Sequence, residues 1–157
     1  MNKLLTSAVE NTFLSFKALG AKFTPSQINK KDKKGNTALY YAVKHKNLDF
    51  AEYILGFKAD VNIKCVKGTY FSILGMTPLH KAFQTSNYSL ICKCLTGYHQ
   101  PDLNVLDDEG KTPLAYCGRK ILELLNLENG VVSVEGSSPR FDNNRLLQKE
   151  KFDQVKE

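Results

Sequence analysis

Apolar residues recur at helical spacing in pairs of short segments along most of the chain. The apolar positions of one pair are Leu39, Ala42, Val43, Leu48, Ala51, Ile54 and Leu55. Those of the next pair are Leu79, Ala82, Phe83, Leu90, Ile91, Cys94 and Leu95. Spacings of three and four residues place side chains on one stripe of an α-helix. The pattern therefore predicts successive pairs of short amphipathic helices.

A segment with glycine and threonine precedes each helix pair and recurs along the chain. It reads DKKGNTAL at residues 32–39, GMTPLHKA at 75–82 and DDEGKTPL at 107–114. A second segment, ADVN at 59–62, recurs as PDLN at 101–104. Gly35 and Gly68 are 33 residues apart. Internal repetition with this period predicts a solenoid, in which neighbouring units stack because one unit cannot cover its own apolar face.

These motifs resemble the ankyrin repeat, whose pattern includes Thr-Pro-Leu-His-x-Ala. The resemblance implies an all-α ankyrin-repeat solenoid of stacked helix-turn-helix units joined by β-turn fingers. We expect it to span residues 1–126, with repeats at about 1–31, 32–64, 65–106 and 107–126, of which the first and last are degenerate. Residues 127–157 are expected to form a linker and a charged C-terminal tail, in which 144–156 either forms a short helix or stays loose.

The degenerate end repeats show weaker versions of the same apolar pattern. The expected inward positions of repeat one are Leu4, Leu5, Ala8, Val9, Phe13, Phe16 and Leu19. Those of the second helix of repeat four are Ile121, Leu122, Leu124 and Leu125. We expect the threonines of the repeated motif to cap their helices, with proline in the first helical turn. His80 is expected to be a structural hydrogen-bonding residue rather than a catalyst or metal ligand. Lys58 replaces a usual glycine, and Cys65 replaces the opening aspartate of its repeat.

Repeat three carries an insertion in its turn. We assign it to residues 69–75, which bring Tyr70, Phe71, Ile73 and Leu74 into a turn that is normally polar. Two roles remain open for these side chains. They either fold back over a neighbouring repeat or act as anchors for a partner, because aromatic side chains dominate interface energies.

The resemblance implies a non-catalytic module that binds a partner protein through its concave surface and turn tips, although fold alone does not name the partner. The predicted contact residues are Lys33, Lys34, Asn36, Lys44, Lys67, Tyr70, Phe71, Ile73, Met76, Lys81, Gln84 and Lys111. The resemblance also marks Asn62 as a candidate for asparaginyl hydroxylation, and the alternative is an asparagine that bonds its own turn.

The formal net charge of +6 is concentrated in the first 64 residues. These hold 11 Lys/Arg against 5 Asp/Glu, whereas residues 65–157 hold 11 of each. The lysines centred on Lys30–Lys34 are either a solvated loop or a patch for an acidic partner protein. A nucleic-acid or anionic-lipid binder that uses the basic N-terminal half is the alternative function. Nucleic acid is less favoured, since no aromatic residues alternate with these lysines as they do in the usual binding modules.

Enzyme activity has little support in the sequence. No P-loop, GxSxG, HExxH or GxGxxG motif occurs, so we expect no catalytic residues and no cofactor. Cys65, Cys92, Cys94 and Cys117 form no CxxC pair and no zinc pattern, which favours reduced cysteines and no metal site. No stretch of about 18 apolar residues occurs, and no signal peptide is evident. We expect a cytoplasmic monomer.

The chain is rich in lysine and asparagine and has degenerate end repeats. In these features it is similar to the ankyrin proteins of intracellular bacteria and large DNA viruses. Many of these proteins act on host proteins. The resemblance implies a host-directed effector that is delivered into a host cell, with an export signal in the charged tail as one further hypothesis.

Overall fold

The computed structural model describes residues 3–12, 22–65, 75–96, 98–124, 131–132 and 140–141. In these ranges the chain forms seven short α-helices, one 3₁₀ helix and one pair of two-residue strands. The α-helices are α1 (Lys3–Glu10), α2 (Pro25–Ile28), α3 (Ala38–Lys44), α4 (Leu48–Leu55), α5 (Pro78–Gln84), α6 (Tyr88–Leu95) and α7 (Arg119–Leu124). The 3₁₀ helix spans Pro113–Tyr116 and precedes α7.

The predicted threonine caps begin the first helices of repeats two and three. The Thr37 hydroxyl accepts from the Tyr40 backbone N–H at 3.3 Å, and Thr77 accepts from His80 at 3.2 Å. Each cap satisfies one of the N–H groups that a helix start leaves free. Thr112 makes no side-chain cap bond, and its repeat has only a 3₁₀ turn in place of the first helix.

Asparagines begin the second helices of the same repeats. Asn47 accepts from the Phe50 backbone N–H at 3.0 Å, and Asn87 accepts from Leu90 at 3.1 Å. The residue before each asparagine, Lys46 or Ser86, has a positive φ of 56° or 53°. This left-handed residue reverses the chain so that the second helix can lie against the first.

The helices stack in two layers. The first helices pack in the order α1, α3, α5 and the 3₁₀ helix, while α4 packs against α6 in the second layer. Each first helix also packs against its own second helix in repeats two and three. The largest fully buried apolar side chains include Phe50, Phe83, Leu4, Ile54 and Leu90. The predicted all-α solenoid is confirmed, because successive helix pairs share one continuous core.

Two details of the predicted apolar faces are wrong. Val9 is 40% exposed and Leu124 is 49% exposed, although both were expected to face inward. At about 100° per residue, Val9 lies outside the buried stripe that Leu4, Leu5 and Ala8 form. In α4, Leu48 is half-buried and packs against the core, and Phe50 is fully buried. The buried stripe of α4 therefore begins at Phe50 and continues through Ala51, Ile54 and Leu55.

Lys58 adopts the conformation that the usual glycine would supply. Its φ is 64°, a value that costs a residue with a Cβ about 1–2 kcal/mol. The Lys58 ammonium lies 4.3 Å from the centroid of the Tyr98 ring, and its backbone carbonyl lies 3.1 Å from His99 Nε2. The turn keeps its shape despite the substitution.

An antiparallel pair of strands follows the repeats, β1 (Val131–Val132) and β2 (Arg140–Phe141). It lies in a segment that is predicted to be only a linker, so that segment contains local structure. The division of the chain into a repeat domain at 1–126 and a tail at 127–157 stays a prediction. The expected inward residues Phe13, Phe16, Leu19 and Leu125, the insertion at 69–74 and the predicted tail helix lie outside the described residues.

Candidate functional site

The finger of repeat two is a turn organised by the carboxylate of Asp32. One oxygen, Oδ1, accepts from the backbone N–H groups of Lys34 at 2.8 Å and Asn36 at 2.9 Å. The Asp32 N–H donates to the Asn36 carbonyl, and Gly35 takes the positive φ of 77° that the turn requires. This arrangement places the side chains of Lys33 and Lys34 at the exposed tip of the finger.

Tyr41 connects this finger to helix α3. Its hydroxyl donates to the other Asp32 oxygen at 2.7 Å and accepts from Asn36 Nδ2 at 3.1 Å. Burial, together with the negative charge of Asp32, raises the pKa of Tyr41 to about 12. Asn36 is only 8% exposed, so its assignment as a partner contact is corrected. Its side chain supports the finger from inside.

The finger of repeat four repeats this geometry with different residues. Asp107 Oδ1 accepts from the backbone N–H groups of Glu109 and Lys111, both at 2.9 Å, and Asp107 Oδ2 accepts from the Tyr116 hydroxyl at 2.6 Å. Burial disfavours the Asp107 carboxylate, but these hydrogen bonds outweigh burial and lower its pKa. Asp108 and Glu109 lie exposed at the tip. The exposed tips are therefore basic in repeat two and acidic in repeat four.

Repeat three closes its finger without the aspartate and the tyrosine. The Cys65 N–H donates to the Met76 carbonyl at 2.9 Å, and the Gly75 N–H donates to the Cys65 carbonyl at 3.2 Å. Met76 is 2% exposed and packs with Cys65 and Tyr40. Its assignment as a partner contact is therefore corrected, because its side chain fills an apolar cluster between fingers. Lys67, Tyr70, Phe71 and Ile73 lie outside the described residues.

His80 has the structural role that the sequence predicted. It is fully buried, its Nδ1 accepts from the Thr77 backbone N–H at 3.2 Å, and its Nε2 lies 3.1 Å from the Lys111 carbonyl. These partners fit a neutral ring that carries its proton on Nε2. Burial is the main reason why the pKa of His80 is lowered. The ring thus joins helix α5 to the next finger.

Two asparagines join consecutive repeats in the same way. Asn62 Nδ2 donates to the Gln100 carbonyl at 2.8 Å, and Asn62 Oδ1 accepts from the Asp102 N–H at 2.8 Å. One repeat earlier, Asn29 donates to the Lys58 carbonyl and accepts from the Asp60 N–H. The expectation that the Asn62 side chain bonds its own turn is wrong, since its amide bonds the following repeat. The recurrence of ADVN as PDLN was the signal for this pairing.

Comparison with known protein families agrees with this geometry. Residues 21–71 match the family model described as ankyrin repeats (many copies). This segment is similar to ankyrin repeats, which supports an ankyrin-repeat family. No curated protein matches the chain. Ankyrin repeats indicate a protein–protein interaction module with protein partners, and the family is typically non-catalytic.

Two neighbouring first helices carry three of the predicted contacts. Lys44 is exposed in the last turn of α3, and Lys81 is half-buried on α5, which packs against α3. Lys81 Nζ donates to Gln84 Oε1 at 2.6 Å. Burial lowers the pKa of Lys81, and the charge of Lys44 lowers it further. Lys81 and Gln84 are therefore bonded to each other, and Lys44 lies on the helix that packs against theirs.

Other chemistry is sparse in the described part of the ankyrin domain. No group of three or more histidine, cysteine or acidic residues there could hold a metal ion. The four cysteines form no disulfide with one another, and burial raises the pKa of Cys94 to about 12 and of Cys117 to about 11. Such thiols are poor nucleophiles near neutral pH. Within the described ranges, no helix has both the length and the apolar character needed to cross a membrane.

Proposed function

We propose that this chain is a non-catalytic module that binds a partner protein through its concave ankyrin surface and finger tips. The observation that carries the proposal is a contrast between positions. The inner positions of repeats two and four form the same hydrogen bond, between Tyr41 and Asp32 and between Tyr116 and Asp107. The exposed position after each aspartate differs, since it is Lys33 in repeat two and Asp108 in repeat four. Side chains that vary while the frame stays constant are the ones available for recognition.

The outward positions of this surface are not used to hold the stack together. Lys33, Lys34 and Lys44 are exposed and make no ion pair within the described residues. Lys111 is exposed, forms an ion pair with Glu109 of its own finger at 2.8 Å, and lies 5.6 Å from the centroid of the Tyr116 ring. A pair of this exposed kind contributes little to stability. These lysines therefore remain accessible to a partner.

A non-catalytic role is supported by the use that the fold makes of its titratable groups. His80 is bonded on both ring nitrogens, and Asp32 and Asp107 each accept three hydrogen bonds. A general base needs a free lone pair that faces a substrate. We propose that these groups stabilise the fingers, and that the protein acts as a monomer in the cytoplasm.

The main test is affinity capture with mass spectrometry on the full chain. A variant of the concave face, Lys44→Glu with Lys81→Glu, is compared with a control, Lys22→Glu with Lys120→Glu, which changes the net charge equally at exposed positions elsewhere. A specific partner should be recovered by wild type and control and lost from the concave variant. Recovery of the same proteins by all three chains contradicts the proposed surface.

The insertion carries a second predicted contact. Tyr70 and Phe71 are proposed to anchor the partner, because large aromatic side chains supply apolar contact area. The variant Tyr70→Ser with Phe71→Ser should lose the captured partner and keep its midpoint of thermal unfolding. A loss of thermal stability without selective loss of binding contradicts this role.

Hydroxylation of Asn62 is a finer proposal that comes from the family resemblance. Its side chain is half-buried and both amide atoms are bonded to the next repeat. A hydroxylase would therefore have to act on a locally opened turn. Mass spectrometry on protein isolated from eukaryotic cells should find an added oxygen on Asn62, and its absence ends this proposal.

The proposed biological setting is the cytoplasm of a host cell, where the protein would act as an effector on a host partner. The support is the resemblance of its lysine- and asparagine-rich repeats to those of intracellular bacteria and large DNA viruses. Deletion of residues 142–157 should block delivery if the charged tail holds an export signal. Delivery that is unchanged by this deletion removes the export signal from the proposal.

A further inference from the structure

Two ammonium groups on neighbouring helices lack a carboxylate partner within the described chain. Lys44 lies in the last turn of α3, and Lys81 lies in the last turn of α5, which packs against α3. The ion pairs of the described residues are Lys93–Glu52, Lys111–Glu109 and Arg119–Glu123, and none of them includes either lysine. Two like charges held close together disfavour each other, and an anion placed between them would stabilise both.

The position of Lys81 in its repeat explains why this charge is uncompensated. It lies four residues after Thr77, as Tyr41 lies after Thr37 and Tyr116 after Thr112. Both tyrosines donate to the aspartate that opens their own finger. In repeat three, Cys65 replaces that aspartate, so the half-buried ammonium of Lys81 has no such carboxylate. Its donation to Gln84 Oε1 leaves two of its three N–H groups for a ligand.

Three of the four acidic residues within 22–65 bond other groups, and the fourth, Asp49, lies in the first turn of α4, a helix of the second layer. Asp32 and Asp60 accept backbone N–H groups of their own turns, and Glu52 pairs with Lys93 in the layer of second helices. Residues 22–65 contain nine lysines and four acidic residues. Lys44 and Lys81 are the charged side chains of α3 and α5, and Lys33 and Lys34 lie at the finger tip of repeat two, so these elements present a basic surface.

We infer that this surface binds an acidic segment of the partner protein, whose carboxylates lie against Lys44 and Lys81 at the centre and against the finger of repeat two at the rim. The inference rests on the proposed function and adds the class of partner. Gln84 is a positioning residue, because its carbonyl oxygen holds the Lys81 ammonium at 2.6 Å.

The change of charge along the fingers favours a protein segment over a nucleic acid. Asp108 and Glu109 are exposed at the finger of repeat four. A nucleic acid carries negative charge at every nucleotide, so a strand that continued along the stack would meet these carboxylates. A protein segment can be acidic over repeats two and three and basic over repeat four. Complementary charges of this kind determine the orientation and specificity of a partner.

A random-sequence peptide library selected on the full chain tests the inference directly. The enriched peptides should share several Asp or Glu residues in one short stretch. A synthetic copy of an enriched peptide should bind, and its copy with Gln for each Glu and Asn for each Asp should bind at least ~10-fold more weakly, a factor that corresponds to about 1.4 kcal/mol. Enrichment of neutral or basic peptides, or no enrichment, overturns the inference.

Matched variants locate the binding site. Lys44→Gln with Lys81→Gln should weaken the acidic peptide by roughly tenfold or more, while Lys22→Gln with Lys120→Gln should stay within about twofold. Lys81→Arg keeps the charge and should retain most of the affinity. This variant also guards against a folding defect at position 81, as does the midpoint of thermal unfolding of each chain. Equal losses in the Lys44/Lys81 and Lys22/Lys120 variants overturn the assignment to this surface.

The two remaining outcomes separate this inference from the proposed function. Binding of an oligouridylate that depends on Lys44 and Lys81, with no binding of acidic peptides, overturns the inference in favour of a nucleic acid. A second outcome is a captured partner that is lost from the Lys44→Glu, Lys81→Glu variant but is displaced only by non-acidic peptides. This outcome overturns the inference of an acidic segment and leaves the proposed interaction module intact. Failure of both capture and peptide selection contradicts both.

Discussion

The Tyr116 hydroxyl donates to Asp107 Oδ2 at 2.6 Å, and the two residues are nine positions apart in the chain. The same bond with the same separation joins Tyr41 to Asp32 two repeats earlier, at 2.7 Å. In each case the aspartate also accepts two backbone N–H groups of its finger. The tyrosine therefore ties the finger to the helix that follows it, and this tie sets where the exposed finger tip lies.

Removal of one such hydroxyl should destabilise the stack. Tyr41→Phe leaves Asp32 Oδ2 and Asn36 Nδ2 without their partner, and an unsatisfied buried polar group costs about 1–3 kcal/mol. We expect a lower free energy of unfolding by that amount in urea titrations followed by circular dichroism. Tyr98→Phe is the control, since Tyr98 is 64% exposed. An equal effect in both variants would contradict the role assigned to the Tyr41 hydroxyl.

The aspartate tie should make stability depend on acid pH. The pKa of Asp107 is lowered below the ordinary 3.8, so its contribution is complete above the unfolded-state pKa and is lost as the pH falls through the lower folded-state pKa. Asp107→Asn removes this dependence, and its unfolding free energy should fall less than that of wild type between pH 6 and the acid limit of about pH 3. Parallel pH profiles for the two chains would show that Asp107 has an unshifted pKa.

Gly75 should be intolerant of any side chain. It has φ of 76°, and a Cβ there would lie 2.9 Å from the Asp108 backbone nitrogen and also contact Asp108 Oδ1. Gly110 has φ of 73° with open space around it, so Gly110→Ala measures the conformational cost alone, about 1–2 kcal/mol. Gly75→Ala should cost more than Gly110→Ala in urea unfolding. The prediction fails if the two variants are equally stable.

The asparagine between repeats should contribute to coupling along the stack. Asn62→Ala leaves the Gln100 carbonyl and the Asp102 N–H without their partner, which we expect to cost about 1–3 kcal/mol. Asn62→Asp keeps an acceptor for the Asp102 N–H but sets a carboxylate oxygen against the Gln100 carbonyl, so it should be destabilised as well. Hydrogen exchange should show faster exchange at Asp102 in Asn62→Ala. Unchanged exchange at Asp102 would mean that the bond does not hold the repeats together.

Local features of the fold could be predicted from the sequence because they depend on neighbouring residues. Thr37 and Thr77 cap their helices, and the apolar residues of α3 and α5 face the core, as helical spacing requires. Val9 was predicted wrongly because the sequence gives the direction of a side chain around a helix but not the width of the surface that covers it. The position of Lys33 and Lys34 at a finger tip could also be predicted, because it depends only on the local turn that ends at Gly35.

The candidate surface could be predicted only in part. Lys44 and Gln84 are exposed and Lys81 is half-buried, so their assignment to the surface stays a prediction, whereas Asn36 and Met76 were assigned to the surface and are buried. Burial depends on what the neighbouring repeat places above a residue, which a single repeat does not reveal. The bond from Tyr41 to Asp32 could have been suspected from the nine-residue separation that recurs in repeat four.

The order of amino acids alone determined the period of the stack, the helix starts and the excess of positive charge in the first half, because each follows from residues close together in the chain. The tertiary structure decided which polar groups meet. The hydrogen-bond partners of Asn62 are about 40 residues away in the chain. Lys81 has no aspartate in the finger of its own repeat, because Cys65 occupies that position. Hydrogen bonds and charge pairs act over a few ångströms, so only the packing of one repeat on the next can establish them.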